Sequence, residues 1–499
     1  MASVIGIDLG TSFSAVAIVD QTGRPKIIPN KDNEALTPSC VVQRSDGVME
    51  VGEFARRQWG NAPETAAARF KRDMGTSTKF HISGKPFSPT QLSTFVLKKL
   101  VADTVGRIGP IQEAVITIPA NFAHEAREAT MAAAKGAGLN VKYIINEPTA
   151  AALYYAFKYG RELNGTFAVY DLGGGTFDIS IIRVDGQDID VIATNGLAKL
   201  GGDDFDVALQ RLVQQKFRGS TGRELPLDEF TKNQAEAEKK SLSTRKQVTF
   251  KVGRQLMDVS RSEFEEAISS LVTQTEMLCE ATLDEANLGP EDISAVLLAG
   301  GSTRIPFIQE SVERVFKQQP STTENVDEVV ALGAALYSAY KADRSSLSAA
   351  QRTAVARMKV SESTSKCFGT IIASFDQIKN ERSLQNSVLI NKGDRIPCSV
   401  TESFYTVYEG QTGVNCQVTE STAPERDPRF VKVIWRGELS LPPGRPSDQE
   451  VKVTFSYDEN QVMRCSFVDV GTGRTSEVDL SMAKARSVEA SEVDKFLVE

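Results

Sequence analysis

Phe167–Val184 reads FAVYDLGGGTFDISIIRV, and the interpretation of this stretch decides the fold. An apolar run reaches Tyr170, Asp171 opens a tight turn through Gly173, Gly174, Gly175 and Thr176, and a second apolar run leaves through Ile179–Ile182. Apolar segments on both sides of a glycine-rich turn predict a β-hairpin and not a strand that feeds a helix. Three adjacent glycines carry no Cβ, so their N–H groups can approach an anion closely. Asp171 and Asp178 put a carboxylate at each end of the turn, which suits a hydrated divalent cation bridging phosphates. In isolation, a plain glycine hairpin fits the stretch equally well.

A second copy tips the balance. Val4–Asp20, VIGIDLGTSFSAVAIVD, repeats strand, turn and strand around Asp8, with the hydroxyls of Thr11 and Ser12 where the later turn has extra glycines. The two aspartates lie about 160 residues apart, roughly one domain length. Two such hairpins predict a duplicated α/β architecture closing on a shared ligand. A third glycine turn sits in AVLLAGGSTR, where an apolar strand meets Gly300, Gly301 and Ser302 before a helix from about Pro306. Gly201 and Gly202 precede a predicted helix over 205–217, a geometry suited to phosphate.

Other residues are ambiguous on local grounds. Lys71 and Arg72 read as a solvated pair in a polar loop. Glu147 sits between a short strand and a helix with Pro148 in its first turn, where a carboxylate complements the helix N-terminus. Glu236, Lys239, Lys240 and Ser243 share one face of a helix over 233–243, ordinarily a solvated face. Asn121 is expected to cap an Ala-rich helix over 122–135, and Ser262 with Glu265 to form a capping box.

Composition narrows the function. Lys and Arg total 57 against 65 Asp and Glu, a net charge of −8, so nothing in the composition suggests a nucleic-acid-binding surface. No apolar run of ~18 residues occurs, and the opening MASVIGIDLG is too short and polar for a signal peptide, so a cytoplasmic location without a membrane partner is expected. Six scattered cysteines read as free thiols in a reducing compartment. His81 and His124 are the only histidines, which excludes His-based metal centres and catalytic triads.

The α/β pattern runs over 1–341. Residues 342–366 turn polar and Ser/Ala-rich, as a linker or loose helix would. Eight short alternating segments between 367 and 482 then predict an all-β sandwich, and 483–499 a polar, frayed tail.

Taken together, IGIDLGT, NEPTAAAL, DLGGGTFD, GGDDFD and GGSTRIP, in that order, give a chain that resembles the seventy-kilodalton heat-shock chaperones, the DnaK-like family, over nearly all of 3–480. The resemblance implies a duplicated, actin-like ATP-binding domain followed by a β-sandwich that grips extended peptides, with slow ATP hydrolysis regulating the grip. Asp8, Glu147 and Asp171 would hold Mg²⁺, mainly through water, and orient the water that attacks the γ-phosphate. Lys71 would stabilise charge on the transferred phosphoryl group. Thr11, Ser12 and Thr176 would contact phosphates, and Gly173, Gly174, Gly201, Gly202 and Gly301 would cradle them. Glu236, Lys239, Lys240, Ser243, Ser302, Arg304 and Asp327 would surround the adenosine of ATP or ADP, with K⁺ as an accompanying ion. Pro119 and Arg127 match the pair that relays nucleotide state to the sandwich, where Phe404 and Val414 would line the peptide cleft.

Four departures stand out. Lys240 replaces the usual Arg beside adenine and lacks its planar guanidinium. Tyr143 occupies a position often Arg, part of the surface that meets J-domain co-chaperones. MKVSESTSKC replaces the leucine-rich linker, and over 483–499 a polar tail is expected where the family continues into a helical lid. Unfolded peptides, a J-domain protein and a nucleotide-exchange factor are the expected partners. Two other readings use the same fold: a nucleotide-bound, non-cycling scaffold or co-chaperone, and a small-molecule kinase.

Overall fold

The structure, a computed structural model, describes residues 3–159, 164–185, 188–226, 229–321, 325–356, 358–376, 381–458, 462–480 and 492–499. It divides into two units, Met1–Val360 together with Ala485–Glu499, and Ser361–Lys484.

In the first unit the two hairpins found by sequence seed two sheets. Strands Ser3–Asp8 and Phe13–Val19 pair antiparallel with Asp8 opposite Ala15. Ile111–Ile118 joins Ser3–Asp8 in parallel, Val141–Asn146 follows it, and Pro25–Ile28 closes the other edge. In the second sheet, Gly165–Leu172 and Phe177–Asp185 set Asp171 opposite Asp178. Ala295–Ala299 adds in parallel on one side and Asp188–Leu197 antiparallel on the other. The hairpin strands are nearly continuous in apolar residues because both faces are covered; Phe177–Asp185 buries its first six residues.

Helices Glu147–Tyr159 and Val329–Lys341 share one core with Ala15 and Val19 of the first sheet and Val169 and Ile182 of the second. Both helices are rich in alanine, and small side chains let their backbones approach closely. A Cβ at Gly333 would fall 1.7 Å from the Ala150 carbonyl oxygen, and one at Gly6 2.2 Å from the Ala335 nitrogen. A further core joins the first sheet to helix Pro89–Ile108. The corresponding core of the second sheet takes helices Gly202–Thr221, Arg261–Ala286 and Pro306–Phe316.

Several local expectations shift. Helix His124–Gly136 starts later than expected, with Ala123 at the N-cap position and no side-chain cap; Asn121 lies two residues ahead of that position, its main-chain N–H donating to Asp178 Oδ1 at 3.4 Å. The capping box of the long helix is Ser260 with Glu263, two residues ahead of the Ser262–Glu265 match. Where a linker is expected over 342–366, Ser348 caps helix Ala349–Val355. Val355 is buried in the core shared by the two sheets, and Gln351 donates to the Val19 carbonyl at 2.7 Å. The chain therefore stays with the first unit to Val360. Where a polar tail is expected over 483–499, the described part, 492–499, packs on the first unit with Val493 only 1% exposed. Its three inward apolar positions, Val493, Phe496 and Val498, are diluted by charged neighbours, which hides them from composition. Residues 483–491 of that tail lie outside the described residues.

The second unit holds two four-stranded antiparallel sheets. One runs Glu381–Ile390, Cys367–Asp376, Gly413–Ser421, Lys432–Ser440; the other runs Cys398–Tyr405, Glu450–Tyr457, Met463–Asp469, Thr475–Asp479. Strict alternation in Met463–Asp469 sends Met463, Cys465 and Phe467 inward, where Phe467 meets Phe455 edge-on at 6.3 Å. All six cysteines are free thiols, five of them buried. Among the described residues no helix is long and apolar enough to cross a membrane.

Candidate functional site

The two hairpin turns and the third glycine turn face one cleft of about 770 Å³ in the first unit. Its lining includes Asp8, Thr11, Ser12, Lys71, Glu147, Asp171, Gly173, Gly174, Thr176, Gly202, Glu236, Lys239, Lys240, Ser243, Gly301, Ser302, Arg304 and Asp327. Residues singled out across some 320 positions of sequence thus converge on one space.

Strand ends aim the carboxylates. Asp8 ends the first strand, and the Thr117 hydroxyl donates to its Oδ1 at 3.0 Å. Glu147 opens its helix where strand Val141–Asn146 stops, and Asp171 closes the second hairpin. Lys71 arrives from a short 3₁₀ turn, Phe70–Asp73, entered through Arg69 at a φ of 64°. It is buried, with its Nζ 2.5 Å from Glu147 Oε1. The solvated pair expected of Lys71 and Arg72 is therefore an ion pair inside the cleft for Lys71, while Arg72 reaches Asp204 at 2.8 Å.

Burial and the neighbouring carboxylates raise the acids. Burial, then Glu147, lifts Asp8 to about 7. Burial, then Glu147 and Asp8, pushes Asp171 well above the carboxylate range, and burial with Glu147 and Asp171 does the same to Asp178. One buried lysine cannot balance this many carboxylates, which is the electrostatic condition for a divalent cation. Among the described residues no three acid, His or Cys side chains converge closely enough to ligate a metal by themselves. A Mg²⁺ here would complete its shell with water and phosphate oxygens, as this hard cation prefers.

The glycines are required by close approach. A Cβ at Gly174 would lie 2.0 Å from the Ser12 hydroxyl, so a side chain there would push that hydroxyl out of its place in the cleft. Gly201 does not line the cleft. Its hypothetical Cβ sits 2.6 Å from the Gly174 backbone, so it lets the helix Gly202–Thr221 start directly behind the turn. Gly202 N–H donates to Gly173 O at 3.0 Å, Asp203 N–H to Gly174 O at 2.7 Å, and Ser302 Oγ to Gly173 O at 2.8 Å.

The far end of the cleft is built on helix Lys232–Thr244, started by a Thr231–Gln234 capping box. Its polar face is only partly solvated: Lys240 is exposed, whereas Glu236 and Ser243 are half-buried. Lys239 is buried, donating to Gly202 O at 2.8 Å and pairing with Asp206 at 2.7 Å. Glu236 binds Arg56 at 2.5 Å and Lys240 at 2.8 Å, and both cations lie over the Phe13 ring. Arg304 pairs with Asp327 at 3.0 Å. Sequence reading passed over Phe13, Arg56, Asp203 and Asp206; the last two stand in the quoted GGDDFD, but nothing local distinguishes buried aspartates from first-turn acids.

Burial raises Glu236, but Arg56 and Lys240 outweigh it and hold the acid down at about 2. A depressed carboxylate stabilises above its unfolded pKa of 4.5 and loses that contribution only as pH falls toward 2. Glu236→Gln is therefore expected to speed release of a fluorescent ADP analogue by about tenfold, equally at pH 6 and pH 8. Stopped-flow displacement checks this.

Two groups lie elsewhere. Pro119 follows strand Ile111–Ile118, and buried Arg127 donates to the Phe122 and Ala120 carbonyls at 3.1 and 3.2 Å, bracing the loop after Pro119. Phe404 and Val414 belong to the second unit, half-buried against the sandwich core.

A family model described as Hsp70 protein matches residues 4–82 and 76–499. Members of that family are ATP-dependent chaperones and ATPases that use Mg²⁺ and work with unfolded peptides, J-domain proteins and exchange factors. A match over nearly the whole length takes in residues of both units, and the chain belongs to the Hsp70 family.

Proposed function

We propose that slow hydrolysis of ATP in the cleft regulates how tightly the β-sandwich holds extended peptide segments. The observation carrying this reading is that Asp8, Lys71, Glu147 and Asp171 meet in one cleft between glycine turns supplied by both sheets. The two sheets are then the duplicated lobes of an actin-like domain within 1–341, joined through 342–366 to a peptide-binding sandwich within 367–482.

Mg²⁺, when bound, supplies positive charge at the β- and γ-phosphates. Thr11, Ser12 and Thr176 donate hydroxyl hydrogen bonds to phosphate oxygens, and the N–H groups of Gly174 and Gly301 approach them closely, while Gly173 and Gly202, whose N–H groups donate to Thr176 O and Gly173 O, give the phosphates room by lacking a side chain. Glu147 and Asp171 accept hydrogen bonds from the attacking water and fix its line of approach. Lys71 holds its charge where the transferred phosphoryl group develops negative charge, and the products are ADP and phosphate. Glu236, Lys240, Ser243, Ser302, Arg304 and Asp327 surround the adenosine. Lys239 acts through the Gly202 carbonyl, holding the Gly201–Gly202 turn in place.

Pro119 and Arg127 relay nucleotide state, and peptide side chains meet the open edges of Phe404 and Val414. Cytoplasmic action with a J-domain protein and an exchange factor completes the proposal. One observation favours a non-cycling scaffold instead. Tyr143 packs its ring 5.1 Å from the Lys341 ammonium, so the usual basic co-chaperone contact is replaced by an aromatic one.

Steady-state ATPase, measured with and without a permanently unfolded polypeptide, tests the reading. Turnover that rises several-fold with polypeptide and vanishes in excess EDTA is expected. Nucleotide binding without turnover would establish the scaffold, and turnover indifferent to polypeptide would remove the coupling.

A further inference from the structure

The Met49–Val51 strand is the edge of a small three-stranded sheet in which Cys40–Gln43 is central and Ala66–Ala68 is the opposite edge. An edge strand exposes a row of main-chain donors and acceptors. Here residues 497–499 cover that row. Met49 N–H donates to Leu497 O at 2.9 Å, Val51 N–H to Glu499 O at 2.9 Å, and Glu499 N–H to Met49 O at 3.0 Å, with Val498 in parallel register with Met49.

Side chains fix the alignment. Phe496 and Val498 point inward and Leu497 outward, 65% exposed, as strand alternation requires. The Phe496 ring meets Phe87 at 5.7 Å and Phe95 at 5.7 Å, both nearly edge-on. Val493 is sealed into the same core from the short turn Glu492–Lys495. Charges bracket the segment: Asp494 pairs with Lys98 at 2.6 Å and Glu499 with Arg44 at 2.8 Å. None of these residues lines the nucleotide cleft.

We infer that this face, made by the Met49–Val51 edge, Phe87 and helix Pro89–Ile108, is a peptide-docking groove occupied in cis by the chain's own segment 492–499. Main-chain pairing supplies the affinity, and apolar residues at the first, fourth and sixth positions of Val-Asp-Lys-Phe-Leu-Val supply the selectivity. The occupant is short and joined to the rest of its unit only through the second unit, so it can leave without unfolding either sheet.

The test uses the full chain and a chain stopped after Ser491. A fluorescein-labelled peptide of residues 492–499 is expected to bind the shortened chain saturably and the full chain at least about tenfold more weakly, because the groove is already filled; Phe496→Ala in the peptide should cost about tenfold or more. Equal binding to both chains, or none to a shortened chain that still unfolds cooperatively, overturns the inference. Should the shortened chain fail to fold, amide exchange in the full chain decides. Phe496→Ala should speed exchange at Met49 and Val51 while Val169 and Val296 keep their protection. Unchanged exchange at the edge refutes cis docking. Protection that depends on protein concentration also refutes it, placing the segment of a second copy in the groove.

Discussion

A Lys71→Ala chain is expected to hydrolyse bound ATP about a thousandfold more slowly in a single turnover while nucleotide affinity changes by less than about tenfold. Lys71 is only 4% exposed and is presented by a turn that its neighbour Arg69 enters in the left-handed region. That geometry leaves the ammonium few alternatives to the space beside Glu147 and above the Phe122 ring, 5.8 Å from its centroid. Loss of one preorganised charge at a reacting phosphoryl group typically costs about 3–4 kcal/mol of barrier, a factor of about 10²–10³. The loss is aggravated here because Glu147 is left buried without its cation beside Asp8 and Asp171. Lys71→Arg should not restore the rate, since a planar fork cannot occupy the volume of a compact ammonium. A single-turnover rate within threefold of the parent chain would remove Lys71 from the mechanism.

The second large effect is on stability. Gly333→Ala is expected to lower the unfolding free energy by about 3 kcal/mol or more, at the upper end for overpacking. Its Cβ would sit 1.7 Å from Ala150 O and 2.3 Å from Ala150 C, both main-chain atoms, so no flexible side chain can give way. The two helices that meet there carry Glu147 at one start and follow Asp327 at the other, so spreading them should also loosen nucleotide. Gly219→Ala is the control. It lies in the helix Gly202–Thr221 with open space around it, and should stabilise by about 0.5–1 kcal/mol. Urea unfolding of both variants measures the contrast; a Gly333→Ala midpoint equal to the parent's would mean the crossing can relax.

What the sequence made legible followed from local constraint. Glycine turns bounded by apolar runs announce their hairpins because close backbone approach tolerates no side chain, and two copies announce a shared ligand. The unread part is where long-range packing overrides local pattern. Lys71 and Lys239 read as solvated charges, yet their partners Glu147 and Asp206 come from distant elements. Asn121 is an adequate cap by type, but the helix begins two residues beyond it, at Ala123, where no side chain can cap. Ser348 and Gln351 make a capping box inside a stretch whose polarity suggested a linker. In 492–499, three apolar side chains suffice because the receiving surface supplies the rest of the contact.

Arg44 and Glu499 touch although 455 positions separate them. Synthesis runs in one direction, so the Met49–Val51 edge is made long before the segment that shields it. Throughout translation of the second unit, the small three-stranded sheet carries a bare β-edge of the kind that recruits foreign strands into aggregates. Closing so long a loop also costs entropy before any contact rewards it, which places this contact late in folding. A member of a chaperone family thus passes its own biogenesis with an adhesive margin, and residues 497–499 end that exposure.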